Sequence, residues 1–282
     1  VNTDLARKAA QMTPQQMNHK QILLHLAAPQ LADAMAYDIS KLANWTMLGP
    51  NPVPHQDVQR AVLSKLFRRW NCVFDASKNE VTENYRNKAW VAAAVTLHRY
   101  GFSDDQCTAR AFESIDELNE EVALSDYFFR HSEEAKSLLK SPTVPLKKRP
   151  PVPKEVTFWR AGDAVSYRLD GWYYALYVHR IELGNAVPHI EFFDVKLDRP
   201  PTSDDLIGVP AVGGMYNDGI RRIETYLVYG MRSNPDMANQ FKLIQEGWKS
   251  PPTQLHLARP AGGSSVLDVF RLQDSVDRLF LA

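Results

Sequence analysis

Ser141-Pro142-Thr143-Val144-Pro145-Leu146-Lys147-Lys148-Arg149-Pro150-Pro151-Val152-Pro153-Lys154 divides this chain into two kinds of sequence. Five prolines in fourteen residues deny both helix and central strand, because proline lacks the backbone donor and fixes φ. An extended, rather stiff connector is predicted. Lys147, Lys148 and Arg149 make a short basic run, smaller than the clusters that read nucleic acid or membrane.

Upstream of this connector the apolar spacing is helical. Thr13-Pro14 reads as an N-cap with proline at the first helical position. Leu31, Met35, Ile39 and Leu42 fall on one helical face, and so do Val58, Val62, Leu63, Leu66, Phe67 and Trp70. Asp57 is the expected cap of that second helix. Another helix is expected from about Thr82 to Tyr100, ending at Gly101, with Ser103 capping the next. No strand is expected before the connector.

Downstream the pattern switches to alternation. Val165 to Leu169, then Asp170-Gly171, then Trp172 to Val178 reads as a hairpin, since an Asp-Gly pair tolerates the positive φ of a tight turn. Further strands are expected at Ile190–Val195, Arg222–Tyr229 and Gln254–Ala258. Val266 to Leu281 reads as a closing amphipathic helix, capped by Ser264 or Ser265. The fold class is therefore α+β. A helical domain (1–140) and the proline-rich linker (141–154) precede a small β-rich domain (155–282), a bent sheet or partial barrel with a C-terminal helix.

The whole chain has 282 residues, with 33 basic and 33 acidic side chains. Zero net charge argues against a surface built for nucleic acid, which needs a basic footprint. The longest largely apolar run, Val91 to Leu97, is far below the roughly 20 residues that span a bilayer. Cys72 and Cys107 belong to no CxxC and read as reduced, buried thiols. Together with the lack of a secretory pattern, they place the chain in a reducing cytoplasm.

Catalytic signatures are scarce. There is no Walker loop, no G-x-G-x-x-G, no G-x-S-x-G and no H-E-x-x-H. Gly262-Gly263-Ser264-Ser265 lacks the second flanking glycine of a nucleophile loop. The densest set of potential metal ligands is His179, Glu182, His189, Glu191 and Asp194. His189 and Glu191, two apart, share one strand face. A zinc or manganese site there would make the chain a metal-dependent hydrolase, but no short ligand motif supports it, and no cofactor is expected. Asp104-Asp105 and Asp204-Asp205 sit at helix starts, where carboxylates offset the helix dipole.

Two features stand above this background. Glu113, Asp116, Glu117, Glu120 and Glu121 fall at i, i+3, i+4, i+7 and i+8, one continuous acidic stripe beside the apolar Phe112, Ile115, Leu118 and Val122. No basic residue lies between Arg110 and Arg130. Like charges at this spacing cost helix stability, so the stripe is either a solvated face neutralised by lysines from elsewhere in the fold or a surface for a basic partner. The second feature is aromatic: seven of eleven tyrosines lie between Tyr167 and Tyr229. Trp172 and Tyr173 are the candidate contact residues among these aromatics.

Phe158-Trp159-Arg160-Ala161-Gly162-Asp163-Ala164-Val165, followed by Asp170-Gly171 and the aromatic strand Trp172–Val178, resembles the opening of the immunity-26-like family. Ile190-Glu191-Phe192-Phe193-Asp194-Val195, then Arg199-Pro200-Pro201-Thr202-Ser203-Asp204-Asp205-Leu206, is similar to that family's second block. The resemblance covers roughly 157–282. It implies a bacterial cytoplasmic immunity protein that binds and neutralises a cognate toxin without catalysis, with no role for nucleic acid or membrane. It assigns no functional residue by motif.

Overall fold

The computed structural model describes residues 17–48, 53–151, 155–260 and 262–280. Thr13-Pro14 lies outside them. By its internal contacts the chain forms two compact units, one of residues 1–39 with 78–149 and one of 40–77 with 150–282.

The regular elements among the described residues of the first unit are all helices: α1 (His19–His25), the start of α2 (Pro29–Thr46), then α4 (Glu83–Arg99), α5 (Asp105–Glu120), α6 (Asp126–Arg130) and α7 (Ser132–Lys140). Helix α3 (His55–Phe74) belongs to the other unit. Several of the starts are chemically marked. Asn18 and Gln21 form a reciprocal capping box on α1. Thr82 caps α4 by accepting from the Tyr85 N–H, and Ser125 caps α6 through the Phe128 N–H. At α5 the cap is Asp104, accepting from the Cys107 N–H, rather than Ser103. Helix α4 is the centre of this unit: Ala89 and every residue from Val91 to Leu97 are buried. It ends as the sequence predicts, at Gly101 with φ +80°.

Gly101 carries a second constraint. A Cβ there would strike the Val144 carbonyl oxygen and lie 2.9 Å from Pro145 Cα. The proline segment begins by running against this glycine. Gly101→Ala combines a positive φ with a backbone clash, so it is expected to cost roughly 2–4 kcal/mol. Thermal unfolding of the variant checks this, and an unchanged midpoint would contradict the packing described.

The second unit is built on a six-stranded mixed sheet in the order β7-β1-β2-β3-β6-β8. Its strands are β1 (Ala164–Leu169), β2 (Trp172–Glu182), β3 (Val187–Leu197), β6 (Tyr226–Tyr229), β7 (Phe241–Gln245) and β8 (Ser265–Asp268). A separate ribbon pairs β4 (Gly213–Met215) with β5 (Arg221–Ile223). The Asp170-Gly171 hairpin is present, with positive φ at both turn residues and Leu169 opposite Trp172. The fold is α+β, and the sheet is open rather than a closed barrel.

One sheet face carries an aromatic core. The Tyr167 ring lies 5.0 Å from Phe241, and Tyr174 lies 4.7 Å from Phe280 of the closing helix α8 (Val269–Phe280). Helix α3 also binds here. Cys72 Sγ approaches the Arg168 carbonyl at 3.6 Å, and the Arg69 guanidinium bonds Gln240 and Asp236. The opposite face holds a smaller cluster of Ala164, Ala175, Phe193 and Leu206, packed by Tyr177, Val195 and Trp248.

The division differs from a cut at the proline segment. Residues 141–151 are neither helix nor strand, as expected. Residues 40–77, however, group with the sheet. An amphipathic stripe states that a helix must be covered and does not name the partner. Two strand assignments also change. Gln254–Ala258 forms turns flanked by isolated bridges at Thr253 and Ala258. The expected strand Arg222–Tyr229 is broken into β5 and β6. At the C-terminus β8 precedes the helix, and the cap is Asp268, accepting from the Phe270 and Arg271 N–H groups.

Candidate functional site

Helix α5 carries the acidic stripe. Its inner face buries Cys107, Ala111, Ser114, Ile115 and Leu118. That orientation turns Glu113, Asp116, Glu117, Glu120 and Glu121 outward, and all five are exposed. Three are engaged. Arg110 pairs with Glu113, Lys136 reaches Asp116 at 2.5 Å, and the buried Asn87 amide donates to Glu117 at 2.7 Å. Glu120 and Glu121, at the C-terminal end, have no basic partner among the described residues. Carboxylates at that end also oppose the helix dipole. Their cost is therefore uncompensated within the unit.

Val122 departs from the expected inward stripe. It is 82% exposed, at positive φ, in the turn that ends α5. Two further large apolar side chains of this unit are exposed in a way the sequence pattern does not reveal. Leu24 is 70% exposed and Phe129 is 64% exposed. The rings of His25 and Tyr127, beside them in the chain, stack at 4.3 Å, and Tyr127 stacks on His131 at 4.2 Å. Ser125 Oγ lies 3.4 Å from His25 Nδ1. Leu24 and Phe129 each break the helical apolar period, and that irregularity is the signal that could have flagged them.

The two aromatic candidates separate. Trp172 opens β2 just after the hairpin turn and is 43% exposed, with Lys196 Nζ 4.6 Å from its ring centroid. Tyr173 is buried, with the Arg168 guanidinium over its ring. Alternation along the strand places these neighbours on opposite faces, so Tyr173 is a packing residue rather than a surface contact.

The histidine cluster assembles in part. His179 Nε2 lies 3.0 Å from Glu191 Oε2, and Gln254 donates to the other carboxylate oxygen of this fully buried glutamate. His189 lies 2.8 Å from Ser264 Oγ, its Nδ1 has no hydrogen-bond partner, and its ring centroid is 5.7 Å from that of His179. Asp194 is exposed further along β3. Among the described residues no group of three or more His, Cys, Asp or Glu side chains is placed to hold a metal ion.

Burial, then the nearby Arg180 and His179, pushes the His189 pKa below its ordinary 6.5. Burial and His98 do the same for His19. The unfolded chain then binds more protons than the folded one as pH falls below the ordinary histidine value. Stability is expected to be full above about pH 6.5 and to decline on acidification toward pH 5. Chemical denaturation across this range checks it, and His189→Gln is expected to flatten the slope.

Both thiols are buried and free of disulfide, and burial raises the Cys72 pKa to about 12. Neither is a reactive thiolate. No helix of the described residues is long and apolar enough to cross a membrane. Comparison with family models, with curated proteins and with solved structures finds no match to this chain.

Proposed function

We propose that this chain is a binding protein that captures a basic protein partner on the acidic end of α5 and neutralises it by covering its surface. In the setting implied by the resemblance of residues 157–282, the partner is a bacterial toxin with an anionic substrate, and the encounter takes place in the cytoplasm. The observation that carries this reading is the exposed carboxylate stripe ending in Glu120 and Glu121, which have no basic partner among the described residues. The exposed apolar side chains Leu24, Val122 and Phe129 of the same unit support it. Interfaces combine apolar anchors that exclude water with charges that steer encounter.

The reading is tested by co-expressing the chain with the product of the adjacent reading frame. Survival of the host with wild type, and death with the Glu117→Lys/Glu120→Lys/Glu121→Lys variant at equal soluble level, is the expected result. A harmless neighbour, or equal protection by the variant, would overturn it. Phe129→Ser is expected to weaken partner binding by at least tenfold, about 1.4 kcal/mol, with little change in thermal midpoint because its ring is largely in solvent.

A further inference from the structure

The second unit holds a pairing unrelated to the acidic helix. Ser264 Oγ lies 2.8 Å from His189 Nε2 and 2.8 Å from Thr225 Oγ1. The register explains why they meet. His189 stands opposite Leu227, and Leu227 stands opposite Val266. Thr225 and Ser264 are each two residues earlier, so alternation puts all of them on one sheet face. The His189 ring is buried, while Ser264 is only half-buried. The two residues before the serine, Gly262 and Gly263, are exposed, and a Cβ on either would meet open space. A base sits inside, its hydroxyl partner belongs to a half-buried residue, and the two glycines before that residue border open space.

We propose that Ser264 is a nucleophile activated by His189 and that it accepts the acyl group of small carboxylic esters. The mechanism uses the tautomer in which Ser264 Oγ donates to Nε2 and the neutral ring carries its proton on Nδ1. In the acyl-transfer step the Oγ–C bond forms and the serine proton moves to Nε2. The ester C–O bond then breaks, and the leaving alkoxide takes that proton. Water completes the cycle: its proton passes to Nε2, its oxygen bonds the acyl carbon, and Ser264 Oγ leaves with the proton returned. Thr225 holds the hydroxyl in place between attacks.

The surroundings of the ring fit a base. Glu182 Oε1 is 3.9 Å from Nδ1, beyond a hydrogen bond but within ion-pair range, and Arg180 holds that carboxylate at 2.6 Å. Glu182 and the buried Glu191 favour the imidazolium as it forms, whereas Arg180 and His179 oppose it. Burial keeps the ring neutral, and so able to accept a proton, at neutral pH. The nucleophile lies within hydrogen-bond reach of the base, as covalent catalysis requires, and the ring is held by its burial rather than by a hydrogen bond at Nδ1.

The full chain is treated with a fluorophosphonate probe, which forms a P–O bond at an activated serine and releases fluoride. The expected result is one adduct per chain, mapped to Ser264 by peptide mass. His189→Gln is expected to slow it at least a hundredfold, and Ser264→Ala to abolish it. Far-UV circular dichroism confirms that each variant is folded. Peptide mapping of the wild type stands whether or not the variants fold. No adduct on folded wild type, an adduct elsewhere, or an unchanged rate in folded His189→Gln would each overturn the assignment. None of these outcomes bears on capture of a basic partner by α5.

Discussion

Arg69→Met is expected to lower the stability of the β-containing unit by about 3–5 kcal/mol. Arg69 lies on α3 and is buried, as is its partner Asp236. Its guanidinium donates to Asp236 Oδ1 at 2.8 Å and to Gln240 Oε1 at 2.8 Å. The other oxygen of Asp236 accepts the Gln240 and Phe241 N–H groups at 3.1 and 3.2 Å, which fixes the entry of β7. One buried charge thus joins α3 to the edge of the sheet. Methionine keeps the stem and removes the charge, leaving a carboxylate desolvated without a cation. The corresponding fall in midpoint is roughly 6–20 °C, measured by calorimetry. Adding Asp236→Asn is expected to recover at least half of the loss, because the penalty comes from the stranded charge. A double variant no more stable than the single would contradict this explanation.

Lys41→Met is the second large effect expected. Lys41 and Glu155 pair with side chains only 4% and 5% exposed, and Glu155 also accepts the Gly230 N–H at 2.7 Å. That bond holds the turn after β6, where Gly230 has φ +92°. The pair borders a cavity of about 730 Å³ that Trp45, Leu48, Val156, Leu183 and Tyr229 also line. Water entering that cavity can partly solvate a stranded Glu155, so the expected cost is about 3 kcal/mol, the low end for a broken buried pair. Glu155→Gln in the Lys41→Met background is expected to restore most of it. Denaturant unfolding measures both, and a loss below about 1 kcal/mol would show the pair to be solvated.

These two residues mark how far the sequence could be read. The hairpin at 164–182 was legible because Asp170-Gly171 and the flanking alternation agree on one structure. Helix α4 was legible because Thr82 and Gly101 frame an apolar run. Helix α3 was legible as a helix but not as part of the sheet unit: its apolar stripe is satisfied by any apolar cover, and only Arg69 and Cys72 reveal which cover it has. Strand β8 was hidden because Val266 and Leu267 continue the apolar period of α8. The strand-to-helix change is set by Asp268, whose carboxylate takes the first free N–H groups. Strand β7 was hidden in Phe241–Gln245 because five residues are too short to show a clear alternation, although the turn residues Asn239 and Gly247 flank it.

The candidate sites show the same limits. Helical spacing sufficed to place five carboxylates on one exposed face, because a helix turns its side chains by a fixed angle. It could not say which were paired or hydrogen-bonded, since Lys136 and Asn87 come from other helices. Alternation predicted that His189 and Glu191 share a face. It could not predict that His189 would meet Ser264, 75 residues away and two strands over. Tyr173 was misplaced because the surface position of its neighbour Trp172 requires the opposite face for it.

The central claim is that Glu120 and Glu121 meet a basic protein surface. The most direct test is calorimetric titration of the chain with the purified product of the adjacent reading frame, inactivated where toxic, at low and at high salt. The account predicts an affinity that falls as salt rises, and a loss of at least tenfold for each of Glu120→Lys and Glu121→Lys. The double variant is expected to lose most of the salt dependence. An affinity indifferent to both substitutions and to ionic strength would contradict it.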